Sequence, residues 1–324
     1  MKKFARDIVF IYLVVLLASW GVFFKLADGW WGATAFLFAP RWILAVPLVF
    51  AFPITLGLRP LWAPTYVVHA LIIVFPIMGF QVPTGVKDRE PQQPTLRVIT
   101  YNVGGGEVFA EAIVRLVNER DCDVLLLQEC QPALSARVFD QLHWHVRREG
   151  LMAIGSRFPL GEANILARHY PNEHNAVAVA CEINVEGNAY TFINVHLPTP
   201  RPGLAALWNE GVDGIDALKE VIAYRDDVSS NVSQKIADIE NTAVVCGDFN
   251  MPQESFLYRR DWSTYQNAFA SVGQGFGYTK CTRWHGVRID HVLTSHQWRA
   301  TSASVEDSLG GDHRPVFAEL VSTP

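Results

Sequence analysis

The chain has 324 residues, of which 50% are apolar and 18% are charged, and its formal net charge is −5. Residues 1–86 contain six Lys and Arg and two acids, giving +4, whereas residues 87–324 contain 21 Lys and Arg and 30 acids, giving −9. Eight charged side chains are too few for a water-soluble domain of that length. The composition excludes a wholly soluble, a disordered or a collagen-like protein. The acidic C-terminal part also argues against an extensive basic surface for nucleic acid.

The first 81 residues are predicted to form a membrane domain. Three apolar stretches, Ile8–Phe24, Ile43–Leu58 and Tyr66–Phe80, approach the ~20 helical residues that cross a hydrocarbon core. Three spans are expected, with two as the alternative. Arg41 would be costly in the middle of a bilayer, so we place it near an interface. The segment 31–40 is then either re-entrant or part of a tilted span.

The basic residues Lys2, Lys3 and Arg6 favour a cytoplasmic N-terminus. They would also suit a cleaved signal peptide, but two further apolar stretches follow at once without a small-residue cleavage site. Three spans then place everything after Gln81 outside the cytoplasm. Residues 82–95 are polar and contain three prolines, which is typical of an extended linker. A globular domain is therefore expected over residues 96–324.

In that domain, strands and helices are predicted in a mixed order. Short runs rich in Val, Ile, Leu and aromatic residues predict the strands. They are LRVITYNV, DVLLLQEC, HVRREGLMAIGS, AVAVACEINV, AYTFINVHL, TAVVCGDFN, RIDHVLTS and PVFAELV. Apolar residues at helical spacing predict helices at Glu107–Arg120, Ala205–Asp227 and Val232–Glu240. This order predicts an α/β sandwich of mixed sheets. None of the five cysteines forms a C-x-x-C pair, and four of them lie in or beside apolar runs, so we interpret them as buried apolar residues.

Polar side chains stand at the ends of several apolar strands. Each has an ordinary alternative explanation, such as a turn former, an exposed strand end or a buried core histidine, but together they indicate a site along one sheet edge. They are Asn102, Glu129, His196, Asp248, Asn250, Asp290, Asp312 and His313. Carboxylates and amides without thiolates suit a hard cation, Mg²⁺ or Mn²⁺. Zn²⁺ stays an alternative through the two histidines. The sequence contains neither a phosphate-binding P-loop nor a G-x-S-x-G serine elbow.

The motifs RVITYN, LLLQE, INVHLP, GDFN, RIDHVL and GDHRPV, in that order, resemble those of the endonuclease/exonuclease/phosphatase superfamily of DNase I-like metal-dependent phosphoesterases. The resemblance covers about residues 96–322, and GDFN with a terminal DH is specific. It implies a four-layer sandwich of two mixed sheets with helices outside. The membrane-anchored layout is similar to bacterial membrane proteins linked to vancomycin and teicoplanin resistance, which implies a multi-pass protein of the bacterial inner membrane with an extracytoplasmic catalytic domain.

The resemblance also implies roles for the residues at the strand ends. Glu129 would be the main metal ligand, with Asn102 and Asp312 nearby. Asp248 and Asn250 would orient the attacking water and the phosphate. His196 would donate to a phosphoryl oxygen, and His313, held by Asp290, would be the base or would stabilise the transition state. The sequence leaves open whether Asp248 or His313 takes the proton from water.

Three functions are compatible with these features. A metal-dependent phosphoesterase acting on a lipid-linked phosphate or pyrophosphate, such as undecaprenyl pyrophosphate, is favoured by the membrane segment and the acidic domain. An anchored nuclease is the second hypothesis, for which Arg259-Arg260 with Trp262 and Arg283-Trp284 beside Arg288 are candidate contacts to nucleic acid. A non-catalytic binding protein is disfavoured, because every chemical position is filled. Loops at 199–214 and 259–277 are expected to set specificity.

Overall fold

The N-terminal residues form helices, as their apolar composition predicts. The structure is a computed structural model and describes residues 2–83, 95–169, 175–239 and 242–323. By length and composition, three of its helices could cross a membrane: Lys3–Leu26, Arg41–Leu58 and Pro60–Ile77. The third begins earlier and ends earlier than the predicted Tyr66–Phe80. Most of the predicted linker, residues 84–94, lies outside the described residues.

These helices pack against one another through a small apolar core and expose apolar side chains on the outside. The α-helices are α1 (Lys2–Leu26), α2 (Trp31–Leu37), α3 (Val46–Leu58) and α4 (Thr65–Ile72). Short 3-10 turns at Arg41–Ala45 and Pro60–Trp62 precede α3 and α4, and a π-helical turn at Ile73–Ile77 follows α4. Leu16, Leu37 and Ile77 are buried, whereas Phe10 and Val49 remain more than 60% exposed. An apolar outer surface of this kind is expected for helices surrounded by lipid.

The C-terminal part contains two six-stranded sheets, each with parallel and antiparallel neighbours. In spatial order the first sheet consists of β13 (Trp298–Val305), β14 (Val316–Ser322), β1 (Thr95–Asn102), β2 (Val124–Gln128), β4 (Met152–Ser156) and β3 (His145–Glu149). The second consists of β5 (Leu160–Arg168), β6 (Ala176–Val185), β7 (Asn188–His196), β8 (Thr242–Asp248), β12 (Asp290–Thr294) and β9 (Gln266–Asn267). A two-stranded hairpin is formed by β10 (Lys280–Cys281) and β11 (Gly286–Val287).

Both faces of each sheet are buried, which explains why the strands read as nearly continuous apolar runs. Val98 and Leu126 of the first sheet meet Phe192 and Val244 of the second in the central core. The outer face of the first sheet packs on α5 (Ala110–Glu119) and α6 (Pro132–Leu142), and that of the second packs on α8 (Ile215–Ala237) and α9 (Phe256–Asp261). The remaining helices are α7 (Arg201–Glu210) and α10 (Ala268–Val272). The predicted four-layer α/β sandwich is therefore confirmed.

Some predicted elements differ in extent from those in the structure. The two helices predicted at Ala205–Asp227 and Val232–Glu240 are instead α7 and α8, and α8 continues through the predicted break. Ser229 lies within this break, but its side chain is buried at helical spacing from Ile222 and Val232. A small polar side chain such as serine can occupy the buried face of a helix in place of an apolar residue.

Other elements were not separated or not predicted. The run HVRREGLMAIGS forms two strands, β3 and β4, which turn at Gly150 with a φ of 60°. Strands β5 and β13 and helix α6 were not predicted. Four cysteines are buried as expected, and Cys281 is exposed.

Candidate active site

The predicted site residues lie at the ends of adjacent strands because the sheet topology aligns those ends. Strands β1 and β2 are parallel, with Asn102 beside Gln128, so Glu129 directly follows on the same edge. Strands β7 and β8 are also parallel, with His196 beside Asp248. Strand β12 runs antiparallel to β8 and begins at Asp290, opposite Asp248. The two sheets therefore present their polar ends along one edge of the sandwich.

Asp248 lies at the centre of the cluster and is 1% exposed. The side-chain amide of Asn102 donates to Asp248 Oδ2 at 3.0 Å and to Glu129 Oε1 at 2.9 Å. Asp248 Oδ2 also lies 3.6 Å from His313 Nε2 and 3.9 Å from His196 Nε2. Burial raises the pKa of Asp248, and the charge of Asp290 adds to the increase. The surroundings of Asp248 therefore disfavour the ionised form of its carboxyl group.

His313 and Asp290 form a buried pair. His313 Nδ1 lies 2.8 Å from Asp290 Oδ2, and both side chains are at most 3% exposed. Burial alone would lower the pKa of His313, but the charges of Asp290 and Asp248 and the hydrogen bond that His313 donates to Asp290 outweigh it and raise the pKa to about 9. The pair fixes the imidazole with Nε2 directed toward Asp248, which is the arrangement of a buttressed catalytic histidine.

Asn250 contacts the cluster through its backbone more than through its side chain. Its backbone N–H donates to Asp248 Oδ1 at 2.8 Å, and its side-chain Nδ2 donates to the carbonyl of Leu197 at 2.8 Å. Its φ is 50°, a left-handed conformation that Asn tolerates better than most residues. Glu129 is left-handed as well, with a φ of 52°. Two such residues at adjacent strand ends are typical of a functional site.

The glycines after β1 leave room for two carboxylates. A Cβ at Gly104 would lie 2.0 Å from Glu129 Oε2, and a Cβ at Gly105, whose φ is 72°, would lie 2.1 Å from Asp312 Cγ. The backbone N–H of Gly104 also donates to Asn102 Oδ1 at 2.9 Å. The turn therefore packs directly against the site, and only glycine fits at these two positions.

Two basic residues that the sequence analysis did not select reach the site through Asp312. Lys280 Nζ donates to Asp312 Oδ2, and Arg201 Nη2 lies 3.7 Å from the same oxygen. Lys280 is fixed there because its backbone pairs with that of His313 in an isolated bridge. Strand β10 has only two residues and gives no spacing signal in the sequence, so only the fold identifies this lysine. These two side chains supply positive charge at the rim of an otherwise acidic site.

A buried polar network supports the site from below. Gln128 Nε2 donates to Asn194 Oδ1 at 2.7 Å and to Thr100 Oγ1 at 3.0 Å, and Asn194 Nδ2 donates to the carbonyl of Leu127 at 2.9 Å. Gln128 belongs to one sheet and Asn194 to the other. The network therefore ties the two sheets together directly beneath the catalytic edge. The sequence analysis counted both residues as strand interior.

The donor chemistry of the cluster fits a divalent cation. Asp248, Asp290 and His313 offer ligand atoms that all lie within 4.8 Å of one another, and the buried Oδ1 of Asp290 has no hydrogen-bond partner. The sequence analysis instead assigned the metal to Glu129, Asn102 and Asp312. His313 Nδ1 engages only Oδ2 of Asp290, and the carboxylates of Asp248 and Glu129, which the amide of Asn102 bridges, present further oxygen ligands.

All eight predicted residues therefore belong to one connected cluster. Asn102, Glu129, His196, Asp248 and His313 are joined side chain to side chain. Asp290 joins through His313, Asn250 through its backbone, and Asp312 through a 3.8 Å approach of its Oδ1 to His313 Nε2. What the geometry adds is a division into a buried acidic centre and a rim with basic side chains.

The family of the chain follows from comparison with known proteins. Residues 99–313 match the model of the Endonuclease/Exonuclease/phosphatase family, and the chain belongs to that family. It is therefore a hydrolase of phosphoester bonds. No curated protein matches the chain closely enough to add a relative.

Solved structures agree with this fold. Humanized D. rerio TDP2 carrying 14 mutations is 16% identical over 70% of this chain and 98% of its own, with a TM-score of 0.55. A variant of the 3′ phosphatase NExo from Neisseria, bound to a product DNA hairpin, is 18% identical over 69% and 98%, with a TM-score of 0.52. An AP endonuclease from Archaeoglobus fulgidus is 16% identical over 69% and 98%, with a TM-score of 0.51. At these identities the similarity establishes the fold.

Proposed function

We propose that the chain is a membrane-anchored, divalent-metal-dependent phosphoesterase whose substrate is a lipid-linked phosphate or pyrophosphate, such as undecaprenyl pyrophosphate. In this proposal residues 1–81 are the membrane domain, residues 82–95 the linker and residues 96–324 the catalytic domain. The layout resembles the bacterial membrane proteins linked to vancomycin and teicoplanin resistance, and Mg²⁺ or Mn²⁺ is the expected cofactor.

The observation that carries the proposal is where the apolar helices contact the sandwich. Ser255 Oγ, in the loop that follows Asn250, donates to Asp28 Oδ2 at 2.6 Å. In the β10–β11 hairpin, the Trp284 carbonyl accepts from Trp42 Nε1 at 2.8 Å, and His285 Nε2 lies 2.9 Å from the Phe38 carbonyl. Both loops adjoin strands that carry site residues. Helices in a bilayer would therefore hold the catalytic edge close to the lipid headgroups.

The proposed mechanism assigns binding and positioning to the cluster. Glu129, Asn102 and Asp248 would hold the cation with Asp312 nearby, and the cation, when bound, would neutralise charge on the phosphoryl oxygens. His196, 3.6 Å from Glu129 Oε1, donates a hydrogen bond to a phosphoryl oxygen. Lys280 stabilises negative charge on the side of Asp312.

The remaining residues handle the attacking water. Asp290 fixes His313 so that Nε2 lies 3.6 Å from Asp248 Oδ2, and the proton of the water passes to this Asp248–His313 pair. Asn250 holds Asp248 Oδ1 through its backbone N–H, which keeps the carboxylate oriented toward the site. In-line attack at phosphorus needs a positioned water and stabilised equatorial oxygens, and the cluster supplies both.

A nuclease is the second candidate, because D. rerio TDP2 has been solved with a single-strand DNA product and NExo with a product DNA hairpin. The predicted nucleic-acid contacts give this candidate little support. Trp262 is fully buried and cannot stack on a base, and Arg260 is engaged by Asp226 and Asp261. Trp284 remains 67% exposed, with the Arg283 guanidinium 5.2 Å from its ring centre.

The orientation of the protein in the membrane is part of the proposal. Three spans with Lys2, Lys3 and Arg6 in the cytoplasm place the catalytic domain outside, where the outer leaflet supplies the substrate. Reporter fusions at the C-terminus test this: an exported reporter should be active and a cytoplasmic one silent. The opposite pattern would contradict an extracytoplasmic catalytic domain.

The decisive experiment compares two substrates under identical conditions. The purified full chain is assayed for phosphate release from undecaprenyl pyrophosphate in detergent and for nicking of plasmid DNA, each with Mg²⁺ and with EDTA. The Glu129→Ala variant is the control, because its side chain is 42% exposed and its loss should abolish activity without unfolding the domain. Mg²⁺-dependent nicking without phosphate release would establish the nuclease instead.

A further inference from the structure

The N-terminal helices reach the catalytic edge through a buried ion pair. Asp28 lies between α1 and α2, and its Oδ1 is 3.2 Å from Arg225 Nη2 in α8. The side chains are 0% and 1% exposed. The ring of Phe38, which also belongs to the N-terminal region, lies 5.8 Å from the Arg225 guanidinium. Two groups from the helical region therefore enclose one arginine of the sandwich.

Arg225 in turn holds the two strand ends that carry His196 and Asp248. Its Nη1 donates to the carbonyl of Pro198 at 2.9 Å and to the carbonyl of Asn250 at 3.0 Å. His196 and Asp248 are paired across β7 and β8, and each accepting carbonyl lies two residues further along its strand end. One guanidinium nitrogen thus bridges the chain just after two residues of the site.

The same contacts maintain the strained backbone at Asn250. With a φ of 50°, its N–H is held by Asp248 and its carbonyl by Arg225. Without the guanidinium, the buried carbonyls of Asn250 and Pro198 would lose their charged donor and remain desolvated without a hydrogen bond from it. The left-handed conformation would then lose one of the two contacts that define it.

Asp28 is what allows a charged arginine to occupy this position. A buried guanidinium without a counter-charge is strongly destabilised, and Asp28 supplies that charge. Asp28 itself is left-handed, with a φ of 61°, and its Oδ2 accepts from Ser255 Oγ at 2.6 Å. Ser255 also caps α9 by accepting from the backbone N–H of Tyr258, so Asp28 is fixed by the same loop that leaves the active site.

We infer that Asp28 and Arg225 are positioning residues of the active site, through which the N-terminal helices hold Asn250 and the ends of β7 and β8 in the geometry that hydrolysis requires. The inference rests on the proposed function, because it assigns the site to the cluster around Asp248. In this view the helical region is a structural part of the catalytic centre in addition to being an anchor. A displacement of about 1 Å at a catalytic centre lowers turnover on the order of 100-fold.

The test uses the full chain in detergent with saturating Mg²⁺ and bis(p-nitrophenyl) phosphate as the probe. Asp28→Asn keeps the shape of the side chain and removes its charge. Arg225→Lys keeps the charge but loses the fork in which Nη1 holds both carbonyls while Nη2 faces Asp28. We expect each to lower kcat about 10-fold to 100-fold per folded molecule, with KM changed less than about threefold. Asp216→Asn is the matched control, since Asp216 pairs with Lys219 on the exposed surface of the same helix.

A purely structural role makes a different prediction. If Asp28 only stabilised the fold, Asp28→Asn would unfold at a lower temperature than the parent. Its kcat, measured well below that temperature, would stay within about twofold of the parent. A kcat within about twofold of the parent, in either Asp28→Asn or Arg225→Lys if that variant folds, would overturn the inference. A milder variant, Ser255→Ala, removes one hydrogen bond to Asp28, and an unchanged kcat there would count against the inference if both ion-pair variants failed to fold.

A second comparison asks whether the effect acts through Asn250. If Arg225 works by holding the left-handed backbone of Asn250, the kcat loss of Arg225→Lys should be much smaller in an Asn250→Gly background, because glycine adopts this conformation without such support. Full multiplicativity of the two losses would contradict this route. A parent chain that hydrolyses neither the probe nor undecaprenyl pyrophosphate would contradict the proposed function, whereas an active parent with fully active Asp28→Asn would contradict the positioning inference alone.

Discussion

Asp28 and Asp248 are two buried aspartates whose surroundings differ in one respect. Each is 1% exposed. Asp28 faces a guanidinium at 3.2 Å and a serine hydroxyl, so its charge is balanced inside the fold. Asp248 faces an amide, a backbone N–H and two imidazoles, with the Asp290 carboxylate close enough to raise its pKa. Asp28 thus has its counter-charge within the fold, although its Oδ1 makes no hydrogen bond with any residue that the structure describes. Asp248 has a second carboxylate nearby, and a bound cation would offset that charge.

This difference separates structural from chemical use of the same side chain. A balanced ion pair is costly to break but has no need of a ligand. A buried carboxylate next to another carboxylate is unfavourable in the empty protein and becomes favourable when positive charge arrives. Replacing each aspartate by asparagine should therefore have opposite consequences for stability, and the loss of activity should be larger for Asp248.

The largest expected effect is that of Asp248→Asn. It should lower turnover about 10³-fold or more, because it removes a carboxylate that orients the water and shares its proton. In EDTA, however, its unfolding temperature should equal or exceed that of the parent, since a strained buried charge has been removed. Asp28→Asn should instead be less stable by about 3–5 kcal/mol. Thermal unfolding and turnover measured on the same preparations check both expectations.

Mg²⁺ provides a readout of this contrast that does not depend on turnover. The parent and Asp28→Asn should both unfold at a higher temperature in Mg²⁺ than in EDTA, because the ion binds the folded cluster. Asp248→Asn should lose most of this increase. An equal increase in all three proteins would place the cation elsewhere and would contradict the assignment of Asp248.

The next effect concerns the Asp290–His313 pair. His313→Ala should reduce turnover by several orders of magnitude, and Asp290→Asn by about 10²–10⁴-fold, because the imidazole loses its orientation and tautomer. Since the two residues act as a unit, the double variant should be about as poor as His313→Ala alone. Turnover of the four proteins at saturating Mg²⁺ completes the double-mutant cycle.

Multiplicative losses in that cycle would show that Asp290 acts independently of His313, despite the 2.8 Å between Oδ2 and Nδ1. Unchanged turnover in Asp290→Asn would contradict the pairing more directly. Arg288→Gln is a neighbouring control: Arg288 is buried two residues before Asp290, and it contacts Phe276 and Gln253.

The sequence was sufficient to select residues that the fold brings together into one cluster, but not to predict their connections. Glu129 and Asp248 could be selected because each ends an apolar strand, and parallel neighbours bring such ends to one edge. Lys280 could not be selected, because it reaches Asp312 only through a backbone bridge to His313 that is formed over 33 residues of chain. Spacing patterns describe single elements and carry no information about pairings of this kind.

The same limit applies to the N-terminal region. Its helices could be predicted from hydropathy, which depends on local composition alone. The pair Asp28–Arg225 could not, since the two residues are separated by almost 200 positions and belong to regions of different character. Asp28 was merely one of two acids in an apolar segment. A charged residue that persists in such a segment is a reason to look for a distant partner.

His291 shows a third way of burying an ionisable group, in which the charge is avoided. It is 1% exposed, its Nε2 lies 3.0 Å from the Met251 carbonyl and its Nδ1 lies 3.1 Å from Asn267 Nδ2. These partners suit a neutral imidazole that donates from Nε2 and accepts at Nδ1. Burial, and next the charge of Arg288, lower the pKa of His291 to about 4.

The smallest expected effect is the dependence of stability on pH that follows from His291. Between pH 6.5 and about 4 the unfolded chain binds a proton that the folded protein excludes, so His291 should reduce stability as the pH falls through this range. The reduction reaches about 3 kcal/mol near pH 4 and then levels off. His291→Gln keeps a donor and an acceptor without titrating, so its unfolding free energy in EDTA should depend less steeply on pH over this window than that of the parent. His296→Gln controls for the loss of a histidine as such. Parallel pH profiles for the parent and His291→Gln would mean that His291 is charged in the folded protein, contrary to the hydrogen bonds it makes.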